Sequence, residues 1–268
     1  MSERFDTLFA GMSEETAMET LLKPPAELKN PGLKYLAATR LGACQSPESL
    51  QRLLAAGAND SDDLYERITR RKALEALGRR KDRSALPVLL AALQADDEPT
   101  VVNAADAIAR LSTPLDKEEQ TALLQALQGP DNQRRAVLQA FCRLGMNDAS
   151  GQIDHCRKDS NPLVAGAAHA YAVRVLGDQQ GLHPLVEQLR DDNPGRRRAA
   201  VIDLGDAGRI EALAALIRCP VSMPLRAKSA FQMATSQAGA IDPDATDLLK
   251  ELLQDDPRQL NPVSYTHL

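Results

Sequence analysis

The chain has 268 residues, of which 43% are hydrophobic, 26% charged and only 3% aromatic, with no tryptophan and a formal net charge of −5. That acidic balance disfavours a general grip on nucleic acid. No apolar run reaches the roughly eighteen residues of a membrane span, and the opening residues lack the basic-then-apolar order of a secretory signal, so a cytoplasmic protein is expected. Four scattered cysteines with no Cys-x-x-Cys pair exclude a compact zinc knuckle and argue against a disulfide framework. The Ala- and Leu-rich apolar fraction is that of a helical protein.

In chain order, residues 1–29 are expected to form an atypical N-terminal cap. The first well-defined helix is Pro31-Gly-Leu-Lys-Tyr-Leu-Ala-Ala-Thr-Arg-Leu-Gly42, with proline suited to the opening turn and glycine to the exit. Residues 59–63 read as a loop insertion. Shorter helices are expected over 84–93, 182–189 and 209–216, with Pro87 and Pro184 in their opening turns. Longer partners are expected to end at Leu77-Gly78, Leu144-Gly145, Leu176-Gly177 and Leu204-Gly205. Polar breaks at Ala95-Asp-Asp-Glu-Pro99, Gly129-Pro-Asp-Asn132, Asp159-Ser-Asn-Pro162 and Asp191-Asp-Asn-Pro194 mark changes of element. A last helix over 245–253 ends before Asp255-Asp-Pro257. The terminal Val263-Ser-Tyr-Thr-His-Leu268 breaks the pattern and resembles a translated sequencing adapter, so Tyr265 and His267 are excluded from any site.

One register runs through the longer helices. Leu41, Leu77, Leu111, Leu144, Leu176, Leu204 and Met233 recur at intervals of 36, 34, 33, 32, 28 and 29 residues. Each follows by four positions a small residue: Ala37, Ala73, Ala107, Ala140, Ala172, Ala200 or Ser229. Positions four apart share a helix face, so the small residue admits a neighbouring helix and the terminal residue fills the space one turn on. Two helices per repeat of this length predict an all-α, short HEAT-like α-solenoid of antiparallel helix pairs over 1–262, with 263–268 foreign to it.

Local signatures of chemistry are absent: there is no glycine-rich phosphate loop, no His-Glu-x-x-His helix and no Gly-x-Ser-x-Gly elbow. No metal site is expected from His155, His169 and His183, which fall in different kinds of segment, and His155 and Cys156 as helix neighbours would not share a face. The clusters Arg70-Arg-Lys72 and Arg196-Arg-Arg198 read as solvated helical faces or as local anion contacts. Asp106 and Asp203 interrupt otherwise apolar helices, either to pair with a ligand N–H or cation or to satisfy a turn or a nearby arginine. Arg40, Arg110 and Arg143 each immediately precede a terminal Leu, forming a ladder for interhelical ion pairs or for an acidic partner. Tyr35, Phe141, Tyr171 and Phe231 are the candidate aromatic anchors.

The segments Leu33-Lys-Tyr-Leu-Ala-Ala-Thr-Arg-Leu-Gly42, Thr69-Arg-Arg-Lys-Ala-Leu-Glu-Ala-Leu-Gly78, Gly195-Arg-Arg-Arg-Ala-Ala-Val-Ile-Asp-Leu-Gly205 and Pro224-Leu-Arg-Ala-Lys-Ser-Ala-Phe231 resemble the HEAT-repeat phycobilin lyases of the E/F type and their lyase-like cyanobacterial relatives. The resemblance implies a phycobilin lyase or lyase-like factor that assists attachment of a linear tetrapyrrole bilin to a phycobiliprotein cysteine. A non-catalytic scaffold or chaperone in phycobiliprotein maturation and phycobilisome assembly is the alternative. The implied partners are an apo-phycobiliprotein subunit and a complementary HEAT-repeat lyase subunit. The bilin is a substrate, with no tightly bound cofactor. Under this resemblance Arg40, Arg110 and Arg143 would meet bilin propionates or acidic acceptor residues. Asp106 or Asp203 would accept from pyrrole N–H groups, and Tyr35 would supply an aromatic wall.

Overall fold

A computed structural model of the protein describes residues 11–147, 150–235 and 243–254. The segments 255–257 and 263–268 lie outside the described residues. Fifteen α-helices account for the regular structure there, with one-turn 3₁₀ segments between them and no strand. The chain is therefore all-α, a helical repeat of antiparallel pairs. Its contacts divide into two compact units, Met1–Ala140 and Phe141–Leu268.

The first unit contains α1 (Glu14–Leu22), α2 (Leu33–Leu41), α3 (Pro47–Ala58), α4 (Leu64–Arg80), α5 (Leu86–Ala92), α6 (Glu98–Leu111), α7 (Lys117–Gln125) and most of α8 (Asp131–Leu144). The second contains the end of α8, then α9 (Ser150–His155), α10 (Pro162–Val175), α11 (Leu182–Gln188), α12 (Pro194–Ala207), α13 (Leu213–Ile217), α14 (Met223–Thr235) and α15 (Pro243–Gln254). In each unit the even-numbered helices pack side by side, α2 on α4 and α4 on α6, then α10 on α12 and α12 on α14, while α3, α5, α11 and α13 back them.

The polar breaks turn out to be helix starts. Asp97, Asn161 and Asn193 are N-caps whose side chains accept from the Thr100, Leu163 and Gly195 amides at 3.0, 2.9 and 2.8 Å, and a proline occupies the first turn of α6, α10 and α12. The expected helices over 84–93, 182–189 and 209–216 each begin as a 3₁₀ turn (Arg83–Ala85, Gln179–Gly181, Ile210–Ala212) before the α-helix. With only five residues in α13, the last interval of the register, Leu204 to Met233, shortens to 29 residues.

All seven small register residues are buried. The larger ones diverge: Leu41, Leu77, Leu111, Leu204 and Met233 are buried, Leu144 is half-buried, and Leu176, a C-cap, is 40% exposed. Two of the expected exits also need correction. Gly145 and Gly177 do take left-handed φ values of 68° and 71°, but Gly78 and Gly205 lie inside helices that run on to Arg80 and Ala207. Their role is close approach. A Cβ on Gly78 would stand 2.6 Å from the Cα of Ala107, and one on Gly205 would stand 2.9 Å from the Cβ of Ser229. Each glycine thus receives the small register residue of the next repeat, and α12 makes its left-handed exit three residues later, at Gly208.

Candidate functional site

In the first unit, Tyr35 opens α2 half-buried, and its carbonyl accepts from the Thr39 hydroxyl at 2.9 Å. Arg40 turns toward the N-terminal segment, where its Nε donates to the Met12 carbonyl at 3.2 Å. Asp106 and Arg110, one turn apart on α6, pair with each other at 2.7 Å with side chains 32% and 43% exposed. Alongside them Arg79 of α4 donates to Glu75 at 2.8 Å and to the Thr39 carbonyl at 3.3 Å. Burial, and to a lesser degree repulsion from Arg110, pulls the Arg79 guanidinium below its usual pKa. A partly exposed charged line therefore runs across α4 and α6, with Arg79 reaching the backbone of α2.

A cleft of about 400 Å³ between α6 and α8 adjoins this line, lined by Pro99, Val102, Asn103, Asn132, Arg135 and Gln139. Asn103 lies one turn before Asp106 on α6. A second cavity, about 530 Å³, is walled by Leu21, Pro24, Ala55 and Ala56 around Lys34 and Glu66. Lys34 is buried, pairs with Glu66 at 2.8 Å and donates to the Leu21 carbonyl at 3.0 Å. A charge among apolar neighbours in the segment Leu33–Leu41 is the sequence signal for this site; its partner Leu21 lies 13 residues away and Glu66 beyond the following helix, and neither gives a local signal.

The second unit is organised around a residue sequence reasoning passed over. Asp206 is 1% exposed, and its carboxylate accepts from Nε and Nη2 of Arg143, both at 3.0 Å, and from the Gln232 amide at 2.8 Å. Its backbone carbonyl accepts from Arg174 at 2.9 Å and from the Cys142 thiol at 3.7 Å. Arg143 is thus engaged in a bidentate pair, with its side chain 28% exposed. Asp203 is fully buried, and its Oδ2 faces Gly166 so closely that an added Cβ there would lie 2.8 Å away. Asp106 and Arg110 are brought together, whereas Arg40 and Arg143 serve unrelated contacts in different units.

Cys44, Cys142 and Cys219 are buried and Cys156 half-buried. Burial pushes the thiol pKa of each of the first three up, which suppresses the nucleophilic thiolate. His155 ends α9, exposed, where Cys156 opens a 3₁₀ turn, and His169 and His183 lie in α10 and α11. Among the described residues no group of three or more His, Cys, Asp or Glu is placed to hold a metal, and no helix is long and apolar enough to cross a membrane.

Residues 65–142 match the family model for HEAT repeats. The phycocyanin operon protein Y of Pseudanabaena tenuis (strain PCC 7409) is 29% identical over 266 residues, 98% of this chain; the chain spans only about 63% of that relative's length. The bilin biosynthesis protein RpcE of Synechococcus sp. (strain WH8020) is 30% identical over 237 residues, covering 81% of this chain and 88% of the relative. Among solved structures, the complex of CpcE and CpcF of phycocyanin lyase from Nostoc sp. PCC7120 contains a chain that superposes with a TM-score of 0.77 at 24% identity, over 90% of this chain and 94% of that one, which establishes a shared fold. With its helical repeats and its near full-length match to RpcE, the chain belongs to the family of the bilin biosynthesis protein RpcE.

Proposed function

We propose that the protein is a phycobilin lyase or lyase-like factor that assists attachment of a linear tetrapyrrole to a phycobiliprotein cysteine, acting with a complementary HEAT-repeat subunit. The observation that carries this reading is the 30% identity to a bilin biosynthesis protein across 88% of that relative. The thiols support it. In thioether formation the acceptor sulfur bonds to an unsaturated bilin carbon and its proton ends on the neighbouring carbon, with no leaving group. A factor for this addition needs to orient the bilin and govern protonation rather than provide a nucleophile, and three of the chain's cysteines are buried and held as thiols.

In this reading the α6 surface is the bilin contact. Arg110 meets a propionate, Asp106 accepts from pyrrole N–H groups, and the cleft at Asn103 and Gln139 receives the apolar rings. Tyr35 and Arg40 are separate candidate contacts on α2, and Arg143 acts in the second unit. Asp203, being fully buried, has a positioning role only. The burial of Asp203 also favours the second reading, a non-catalytic chaperone of phycobiliprotein maturation.

Co-expression of the untagged chain with a phycobiliprotein subunit and a bilin supply, with and without a complementary HEAT subunit, separates the two. Bilin fluorescence on the acceptor that survives denaturation supports the lyase. Its absence in every combination, with firm binding to the apo-acceptor, leaves the chaperone. Arg110→Ala is expected to weaken bilin or partner binding while far-UV helicity and melting stay unchanged, since its ion pair is solvent-exposed.

A further inference from the structure

The cavity of about 530 Å³ in the first unit has no role in the α6 bilin contact. It lies between the end of α1, the segment that follows it, α3 and the first turn of α4. Its apolar walls are saturated, formed by Leu21, Leu22, Pro24, Ala55 and Ala56, and no aromatic side chain is among the lining residues. Leu22 is 58% exposed, which leaves an apolar wall facing water.

Four charged side chains face the cavity, Lys34, Arg52, Asp63 and Glu66, and they sum to zero. Three of them are already engaged. The Lys34 ammonium has three donors, which reach the Leu21 carbonyl at 3.0 Å, the Lys23 carbonyl at 2.6 Å and Glu66 at 2.8 Å. The other Glu66 oxygen accepts from the Asn59 amide at 3.1 Å. Asp63 caps α4, accepting from the Tyr65 and Glu66 backbone amides at 2.9 and 3.0 Å. Arg52 is different. It is exposed and makes no side-chain hydrogen bond or ion pair among the described residues, not even with Glu48 one turn back on α3. Ala55 and Ala56 lie on the same face of α3, one turn on from Arg52. The result is an apolar trough with one unused guanidinium at its edge.

We propose that this cavity binds an aliphatic monocarboxylate of the fatty-acid type, its chain along Leu21, Leu22, Pro24 and Ala56 and its carboxylate on Arg52. Small-ligand sites typically measure about 300–1,000 Å³, with mostly apolar walls and few polar anchors. One free guanidinium matches one carboxylate, which it can hold through two parallel hydrogen bonds. A linear tetrapyrrole carries two propionates and a flat conjugated body, and these walls supply neither a second free cation nor a stacking ring. A cationic amphiphile would bring its ammonium against Arg52, with both lining carboxylates already engaged. Exposed charges more than about 8 Å apart are largely screened at physiological salt, so the lining charges, which cancel, outweigh the chain's net −5 here. Asp60 and Asp62 face a separate polar cleft that they share with Arg67 and Arg70. The proposed site stands whether or not the chain acts on bilins.

Equilibrium dialysis of the full-length chain against decanoate tests this, with decanol and decylammonium as probes that keep the tail and change the head. Decanoate is expected to fill a single saturable site and to bind more tightly than either. Arg52→Ala is expected to weaken decanoate by about tenfold and to leave decanol unchanged. Ala56→Trp, which fills the trough, is expected to weaken both by about tenfold or more. Arg190→Ala, at an exposed arginine of the second unit, is expected to bind as the native chain. Melting curves check that each variant is folded; if Ala56→Trp unfolds, Leu22→Asn on the exposed wall replaces it. Failure of the native chain to take up decanoate overturns the site, as does uptake at many equivalent weak sites. Native decanoate affinity in folded Arg52→Ala, or in the folded wall variant, also overturns it, and so does an equal loss in Arg190→Ala. Tighter native binding of decylammonium, or of biliverdin in a manner lost in Arg52→Ala, overturns the aliphatic carboxylate as occupant.

Discussion

Gly78 sits inside α4, where alanine has the better intrinsic helix propensity by about 1 kcal/mol. A Cβ there would come 2.6 Å from the Cα of Ala107; the obstacle is backbone, which cannot rotate away. Packing therefore outweighs propensity, and Gly78→Ala is expected to destabilise by about 1–3 kcal/mol in thermal and denaturant unfolding. An unchanged or raised melting temperature would sink this account. The two arginines of the ladder differ in the same physical way. Asp206→Asn leaves Arg143 facing a buried uncharged group and is expected to cost about 2–3 kcal/mol. Asp106→Asn, in a pair exposed to water on both sides, is expected to cost about 0.5 kcal/mol or less. Urea titrations of the two variants give the comparison, and equal losses would mean that burial of the carboxylate is not what separates them.

Asp97 joins two elements. It caps α6 through the Thr100 amide at 3.0 Å, and it pairs with Arg67 and Arg71 of α4, with the Arg67 contact at 3.0 Å. Burial raises its carboxyl pKa, but hydrogen bonds from Arg71, Thr100 and Arg67 outweigh that and hold it well below the usual carboxylate range. A depressed folded-state pKa means the stabilisation is fully present above the unfolded value of about 3.9 and is lost as pH falls from there toward the folded value. Native stability is expected to fall steeply below about pH 4, and Asp97→Asn to be less stable at neutral pH with a shallower acid loss. Parallel acid profiles would refute the linkage. The sequence showed Asp97 only as part of a polar break, because a cap followed by proline is a local signal while its pairing with Arg67 and Arg71 spans some 30 residues. The same limit governs the candidate sites. Asp106 and Arg110, four apart on one helix, could be read as a pair, but the 63-residue separation of Arg143 and Asp206 could not. Helix pairs and the small-residue register were legible because they repeat. The roles of Gly78 and Gly205 were not, since Leu-Gly reads equally as a helix end and as a packing contact.

At the scale of the molecule, stability is shared along neighbouring helices rather than drawn from one core. Within each unit the even-numbered helices pack in succession, so a defect is felt first by adjacent repeats and is passed on through nearest-neighbour contacts. Ala200 tests this. It is fully buried on α12, the helix between α10 and α14. Ala200→Leu is expected to overpack that contact by about 1–3 kcal/mol. Native-state hydrogen exchange should then quicken in α10, α12 and α14, while α2 and α4, whose close packing involves Gly42 and Ala76, keep their protection. A two-state collapse, in which amides of α2 and α4 speed up as much as those of α12, would show that the chain unfolds as one cooperative body and that local repeat contacts do not set its stability.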